Sequence, residues 1–340
     1  MTYSAVIDSL LKSDEPSIKW KVLVNVLGES PSGKKARALQ LEIKHSPRVK
    51  TLLQHRNSKG EIISGANIYS KWQGAHWILA ALAELGYPAG DKSLNPVKDQ
   101  LLNYWLSDYF YKETVVDSKT KSYKADGGVP LMHGRYRRCA SQQALALWSV
   151  ITLGFTDKRL ADITERLLHW QWPDGGWNCD RNPEADTSSF METQFPLRAL
   201  HLYAKVYKDK NAATAAARAA EVFLTRRLYK SAHTGKIIHP EFTYLHYPLY
   251  WHYDILGALK IMAETGFIAD PRCSDALDLL ESKALASGGF PAERTYYRTS
   301  GVIKLGNDFL DWGGTSKRKM NEWVTADALF DLSKARRLRL

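Results

Sequence analysis

Residues 166–190, R-L-L-H-W-Q-W-P-D-G-G-W-N-C-D-R-N-P-E-A-D-T-S-S-F, constrain this chain more than any other stretch. An apolar helical pattern ends on Trp170, and Gln171, Trp172, Asp174, Gly175, Gly176 and Trp177 follow at once. Paired glycines permit a tight reversal through positive φ. Gln171 and Asp174 offer side-chain atoms to backbone groups left open at helix ends. Trp177 supplies a large plate to close the join. Such a device locks one helical hairpin to the next, so the chain is expected to be built from helical hairpins.

Helical periodicity supports this. Ile18, Val22 and Val26 recur on one face after Pro16, a sound helix opening. Trp72, Ala75, His76, Leu79 and Ala83 share a face that stops at Gly86-Tyr87-Pro88. Val97, Leu101, Tyr104 and Trp105 follow Pro96, while Ala144, Leu147, Trp148 and Ile151 stop at Gly154. Ile163, Leu167 and Trp170 lead into the glycine turn, and further helices are expected over 196–207, 212–228, 251–265, 272–285 and 322–335. Alternating β-branched runs are scarce. Gly-Gly pairs recur at Gly127, Gly175, Gly288 and Gly313, the first three beside Asp126, Asp174 and Ser287, as in a degenerate hairpin repeat. Antiparallel helix pairs bury their inner faces by stacking or by closing a ring. Closure gives an all-α (α/α) toroid around a central cavity, with minor or no β structure. The toroid is expected over residues 61–340, with 1–60, looser and more charged, as an N-terminal helical extension.

Trp 11 and Tyr 17 are the compositional outliers. They suit either the aromatic walls of a cavity or packing at helix joins. The net charge of +11 admits an anionic partner. No nucleic-acid-binding signature accompanies the basic clusters, so nucleic acid is excluded while peripheral contact with an anionic membrane stays open. Cys139, Cys179 and Cys273 are odd in number and lack CxxC spacing, which points to a reducing compartment. The N-terminus lacks a secretory pattern, and no run approaches the ~18 apolar residues of a membrane span. A cytoplasmic protein without a transmembrane segment is expected, its oligomeric state open.

Gln171, Gly175 and Trp177, with Trp170 just before, resemble the QW motif of the terpenoid cyclase and protein prenyltransferase superfamily, which includes squalene cyclase-like bacterial proteins. The resemblance implies an α/α toroid holding an apolar, isoprenoid-type ligand in a central aromatic cavity. It also implies catalysis by acid–base steps and cation stabilisation. Zinc enters by the same route: Asp186 and Ser188 stand where the prenyltransferases carry Asp-x-Cys, and His252 is nearest to their later zinc histidine. Ser188 replaces the cysteine, and a hydroxyl is a poor zinc ligand beside a thiolate. A helix cap at Asp186 and Ser188, with Glu192 as capping-box partner, competes with the ligand role, and Cys179 is a substitute ligand. The Asp-x-Asp-Asp and Asp-Asp-x-x-Asp signatures are absent, as are P-loop, Rossmann and HExxH motifs, so whether the chain is an enzyme stays open.

The densest polar–aromatic patch spans 244–254, where Tyr247, Trp251 and Asp254 fall on one face if the patch is helical. Asp254, His252, Asp180 and Tyr247 are the candidate catalytic residues, able to relay a proton or face a cation. Trp72, His76, Trp177, Glu192, His246, Trp251 and Tyr253 are candidate substrate-binding residues. Arg135 and Arg138 join them, holding an anionic head through forked hydrogen bonds. Two other readings use the same residues. One is a carbohydrate-active toroid of the polysaccharide lyase or glycoside hydrolase type; the other is a non-catalytic toroid that binds lipid or a partner protein. A closed apolar cavity favours the isoprenoid reading, an open polar groove the carbohydrate reading, and a filled centre the non-catalytic one.

Overall fold

The computed structural model describes residues 2–124 and 127–339; Asp126 lies outside them. The helices are α1 (Ser4–Leu11), α2 (Pro16–Lys21, continued by a π turn over Val22–Val26), α3 (Lys34–His45), α4 (Pro47–Leu53), α5 (Ala75–Leu85), α6 (Asn95–Trp105) and α7 (Lys119–Lys124). After these come α8 (Ala140–Thr152), α9 (Arg159–His169), α10 (Phe190–Tyr207), α11 (Lys210–Leu224), α12 (Ile255–Thr265), α13 (Ser274–Ser282) and α14 (Glu322–Lys334). Short strands β1 (Glu113–Val115), β2 (Val129–Met132) and β3 (Arg135–Tyr136) form one small sheet, and β4 (Arg298–Thr299) pairs in parallel with β5 (Asn307–Asp308).

The protein is an α/α toroid with minor β structure. Helix α2 packs on α5, α5 on α8, α8 on α10, α10 on α12, α12 on α14, and α14 returns to α2. Outside this ring α3, α6, α9, α11 and α13 each back the inner helix next to them in sequence. The sequences explain the two layers. Inner α5 and α8 are buried almost all round, as a helix between a centre and an outer layer must be. Outer α9 buries only the stripe Leu160, Ile163, Thr164 and Leu167. Outer α11 turns Ala212, Ala215, Ala216 and Ala219 inward, small side chains that let it lie close to α10. The segment expected to stand outside the ring supplies α2, which closes it.

The Gln171 turn joins successive outer helices. Gln171 Nε2 donates to Gly175 O (2.7 Å) and to Ala215 O of α11 (2.9 Å). Arg218 of α11 donates back to Gln171 Oε1 (2.9 Å), and Trp177 Nε1 donates to Leu167 O of α9 (3.0 Å). Gly175 has φ 100°, and a Cβ there would lie 2.4 Å from Arg218 O, so glycine is required.

The centre of the ring is filled with ion pairs. Lys21 of α2 lies 2.9 Å from Asp327 of α14, and Lys260 of α12 bridges Asp327 (3.0 Å) and Glu84 of α5 (2.6 Å). Arg198 of α10 joins Glu84 (2.5 Å) to Glu264 of α12 (2.5 Å). The enclosed cavity that remains is about 60 Å³ and is lined by Trp72, Trp77, Tyr247, Leu249 and Lys260 among others. That is room for a few waters, far below the ~300 Å³ and more of a small-molecule pocket. The central aromatic cavity expected for an isoprenoid is therefore not formed.

The 244–254 patch is not helical. Tyr250 adopts φ 48°, and Asp254 is extended, capping α12 by accepting from Gly257 N at 2.7 Å. Tyr247, Trp251 and Asp254 consequently share no helix face.

Candidate functional site at the mouth of the ring

Each inner helix is followed by an outer return, so the inner helices all start at one end of the ring. The loops entering α5, α8 and α12 meet there, with the first turn of α10. Tyr296 stacks on His252 with ring centres 3.6 Å apart, and Trp251 stacks on the other side at 4.1 Å. Lys71 Nζ lies 4.7 Å from the Trp251 ring centre. Gln194 of α10 holds the loop by donating to His252 O (2.8 Å) and Trp251 O (3.3 Å).

Beyond Tyr296 runs an open groove of about 780 Å³, lined by Tyr297, Arg298, Ser300, Lys304 and Asn307 among others. Its wall is tied to the mouth. Trp72 Nε1 donates to Tyr296 O (2.9 Å), Gln73 Nε2 to Val302 O (3.0 Å), and Lys304 N to Gln73 Oε1 (2.9 Å). Trp251 Nε1, His252 Nδ1, Gln194 Oε1, Arg138 Nη2 and Gln143 Nε2 are buried polar atoms without a partner in the protein. Each such atom costs about 1–3 kcal/mol unless something polar meets it. Burial, then the charge of His246 and that of Lys71, lowers the His252 pKa to about 3, so the ring is neutral and offers one donor and one acceptor.

His246 and Asp254 form a buried ion pair, Nδ1 to Oδ2 2.7 Å. Burial works to lower the His246 pKa, but Asp254 outweighs it and the ring titrates above its usual value. Asp254 also accepts from His246 N (2.8 Å), so its oxygens are committed to loop and helix rather than to a ligand.

On the α8–α10 side, Glu192 Oε2 accepts from Ser141 N (3.1 Å) and Ser141 Oγ (2.7 Å), while Oε1 lies 3.4 Å from Cys179 Sγ. Burial pushes the Glu192 carboxyl above its ordinary pKa despite Ser141. One ligand atom each of Cys139, Cys179 and Glu192 lies within 4.8 Å of the others, a group able to hold a metal.

The other sequence candidates are dispersed. Asp186 is exposed and accepts from its neighbour Thr187 (3.0 Å), and Ser188 is bound to Asp174 (2.6 and 2.8 Å). Neither Asp186 nor His252 belongs to the metal-capable group, which corrects the expected ligand pair. Ser189 is the N-cap of α10, and Glu192 crosses to α8 instead of closing a capping box. Asp180 is exposed and accepts from Asn182 N (2.9 Å). Tyr247 is wedged inside the ring between Trp312 (5.3 Å) and Trp323 (5.2 Å). Tyr253 donates to Leu228 O (2.5 Å) in a nest of Phe190, Phe223 and Phe242. His76 accepts from Trp105 Nε1 (3.1 Å), and burial lowers its pKa to about 3. Arg135 lies on β3, and Arg138 Nε donates to Gln143 (2.9 Å). Lys71, Gln194 and Tyr296 escaped the sequence reading, because only the fold brings them beside Trp251 and His252.

No family model and no curated protein matches the chain. Among solved structures it is similar to an unsaturated glucuronyl hydrolase from Bacillus sp. GL1, described as responsible for glycosaminoglycan degradation (14% identity, TM-score 0.40, 93% of this chain and 84% of that one). It is also similar to a UGL complex with dGlcA-Glc-Rha-Glc (13%, TM-score 0.45, 93% and 84%) and to a protein from Actinoplanes (16%, TM-score 0.43, 95% and 90%). The resemblance to terpenoid cyclases, squalene cyclase-like proteins and prenyltransferases, and with it the isoprenoid ligand, is corrected by the ring itself: ion pairs occupy the centre where an aromatic cavity was expected. Among the described residues no helix is long and apolar enough to cross a membrane.

Proposed function

We propose that the chain is a carbohydrate-active toroid, of hydrolase or lyase type, that takes a sugar chain in the groove at the mouth of the ring. One observation carries this: Tyr296, the outer ring of the Tyr296–His252–Trp251 stack, lines a wide groove together with Tyr297, Arg298, Ser300 and Lys304. Flat rings suit the apolar faces of sugars, and the Arg298 guanidinium and Ser300 hydroxyl on the groove suit their hydroxyls. Arg298 and Lys304 on the groove favour an acidic sugar over a neutral one. The cytoplasm is the proposed compartment, on the odd number of cysteines and their lack of CxxC spacing.

The test is calorimetric titration with neutral and uronate oligosaccharides, together with assays for new reducing ends and for the ultraviolet absorbance of an unsaturated uronate. Trp251→Ala and His252→Ala should each weaken binding about tenfold, the worth of about 1.4 kcal/mol. Oligosaccharide binding that is absent, or unchanged in both variants, refutes the assignment.

A further inference from the structure

The geometry points to a zinc site formed by Cys139, Cys179 and Glu192 at the mouth of the ring, with one coordination position left for water or ligand. The site is independent of the sugar reading and holds whether or not the groove takes a carbohydrate. Three separate segments supply the ligands, and the backbone sets two of them in register. Arg137 pairs with Asn178 in a parallel bridge, and Arg138 N donates to Asn178 O (3.1 Å). Cys139 and Cys179 are each the residue that follows this joined pair. Glu192 comes from the first turn of α10, and Ser141 fixes its Oε2 with two hydrogen bonds, so Oε1 is the oxygen left facing Cys179.

The spacing suits the ion. Tetrahedral zinc with Zn–S of about 2.3 Å and Zn–O of about 2.0 Å sets sulfur-to-oxygen edges of about 3.5 Å. Cys179 Sγ and Glu192 Oε1 are 3.4 Å apart. Two thiols and one carboxylate prefer zinc over magnesium or calcium. Three protein ligands with a free position match sites where zinc meets a substrate rather than sites that only brace a fold. Both cysteines keep some exposure, so the ion has a way in.

Charge provides a second, separate argument. Arg138 is buried beside the cluster, its only side-chain hydrogen bond among the described residues goes to the neutral Gln143, and Nη2 has no partner. Zinc with two thiolates and one carboxylate carries a net charge of −1, and Arg138 cancels it. Metal uptake releases the thiol protons to solvent, with the Glu192 proton when that carboxyl is protonated, so affinity rises with pH.

The experiment uses the full chain, stripped with chelator under reducing conditions, then given zinc alone, dialysed and measured by elemental mass spectrometry. One zinc per chain is expected. Cobalt in place of zinc should give a thiolate-to-metal charge-transfer band and the visible bands of a tetrahedral ion. Cys139→Ser and Cys179→Ser should abolish retention, and Cys273→Ser, remote from the cluster, should keep it. Ser141→Ala removes the Oγ bond to Glu192 and keeps the backbone one, and should weaken affinity about tenfold, the lower end of the usual worth of an outer-shell partner. If either cysteine variant fails to fold, the cobalt spectrum of the wild-type chain decides alone, since a bound ion without a thiolate band overturns the site. Reduced wild type that retains no metal, or a foldable double cysteine variant that retains as much as wild type, overturns it as well. Failure to bind sugars leaves this result untouched.

Discussion

Glu84→Gln tests whether the ion pairs in the ring centre hold the toroid together. The Glu84 carboxylate lies 2.5 Å from Arg198, 2.6 Å from Lys260 and 3.7 Å from Lys21. It therefore links α5 to α10, α12 and α2. Glutamine keeps the shape and removes the charge, leaving Lys21, Arg198 and Lys260 against Asp327 and Glu264. Breaking one side of a buried pair costs about 3–5 kcal/mol. Glu84 retains 22% side-chain exposure, so the lower end, about 3 kcal/mol, applies. With about 2.1 cal/mol/K of unfolding entropy per residue, 340 residues give ~0.7 kcal/mol/K and a fall in Tm of about 4 °C. Urea titration and scanning calorimetry read both values. Burial works to raise the Glu84 pKa, but Arg198, Lys260 and Lys21 together hold it well below the usual carboxylate range. Its contribution is thus complete above about pH 4.5 and is lost as pH falls through the depressed folded pKa. The gap between wild type and variant should narrow below that pH. Adding Lys260→Met should return part of the loss, with a coupling of about 1–3 kcal/mol. A loss under about 0.5 kcal/mol, a pH-independent gap, or strict additivity refutes the reasoning.

Gln171→Ala should cost about 1–3 kcal/mol in urea titration, because Gly175 O and Ala215 O lose their shared donor while the fold stays intact. Asp254→Asn should change the pH dependence of Tm. In wild type the raised His246 pKa gives stability that is complete below about pH 6.5 and fades as pH rises through the folded value; in the variant, burial is opposed only by the backbone groups of Leu249 and Tyr244, so this loss of stability on raising the pH should shrink or disappear.

The hairpin join was legible because its parts are adjacent in sequence. Gln171, Gly175 and Trp177 need only one turn and the next helix to act, and the structure uses them as their chemistry suggests. Periodicity found α2, α5, α6 and α8 to α14 but not α1, α3, α4 or α7, and it misplaced some ends. Pro196 reads as a helix opening, yet it lies inside α10, whose start at Phe190 comes just after the segment bound by Asp174. The patch at 244–254 has helical spacing by composition only, and the positive φ of Tyr250 stops a helix there. Aromatic abundance was the least reliable guide. Trp105, Trp170, Trp172 and Trp177 are fully buried and lock elements together instead of lining a chamber.

The centre of the ring was illegible for a different reason. Lys21, Glu84, Arg198, Lys260 and Asp327 each read as a lone charge in an apolar helix, and only closure of the ring brings them together. Cys139 and Cys179 likewise meet only through the bridge between Arg137 and Asn178. These two unseen constellations divide the molecule. Charges that are mutually satisfied across α2, α5, α10, α12 and α14 stabilise the ring and leave too little space for a ligand. At the mouth, where the loops entering α5, α8 and α12 converge, Arg138, Gln143, Gln194, Trp251 and His252 keep unsatisfied polar atoms, while Asp331 of α14 is an unsatisfied carboxyl within the ring whose pKa burial pushes up. Stability and ligand chemistry should then separate experimentally: Glu84→Gln lowers Tm yet leaves zinc retention and sugar affinity in the folded protein as they were, while Ser141→Ala and His252→Ala do the reverse.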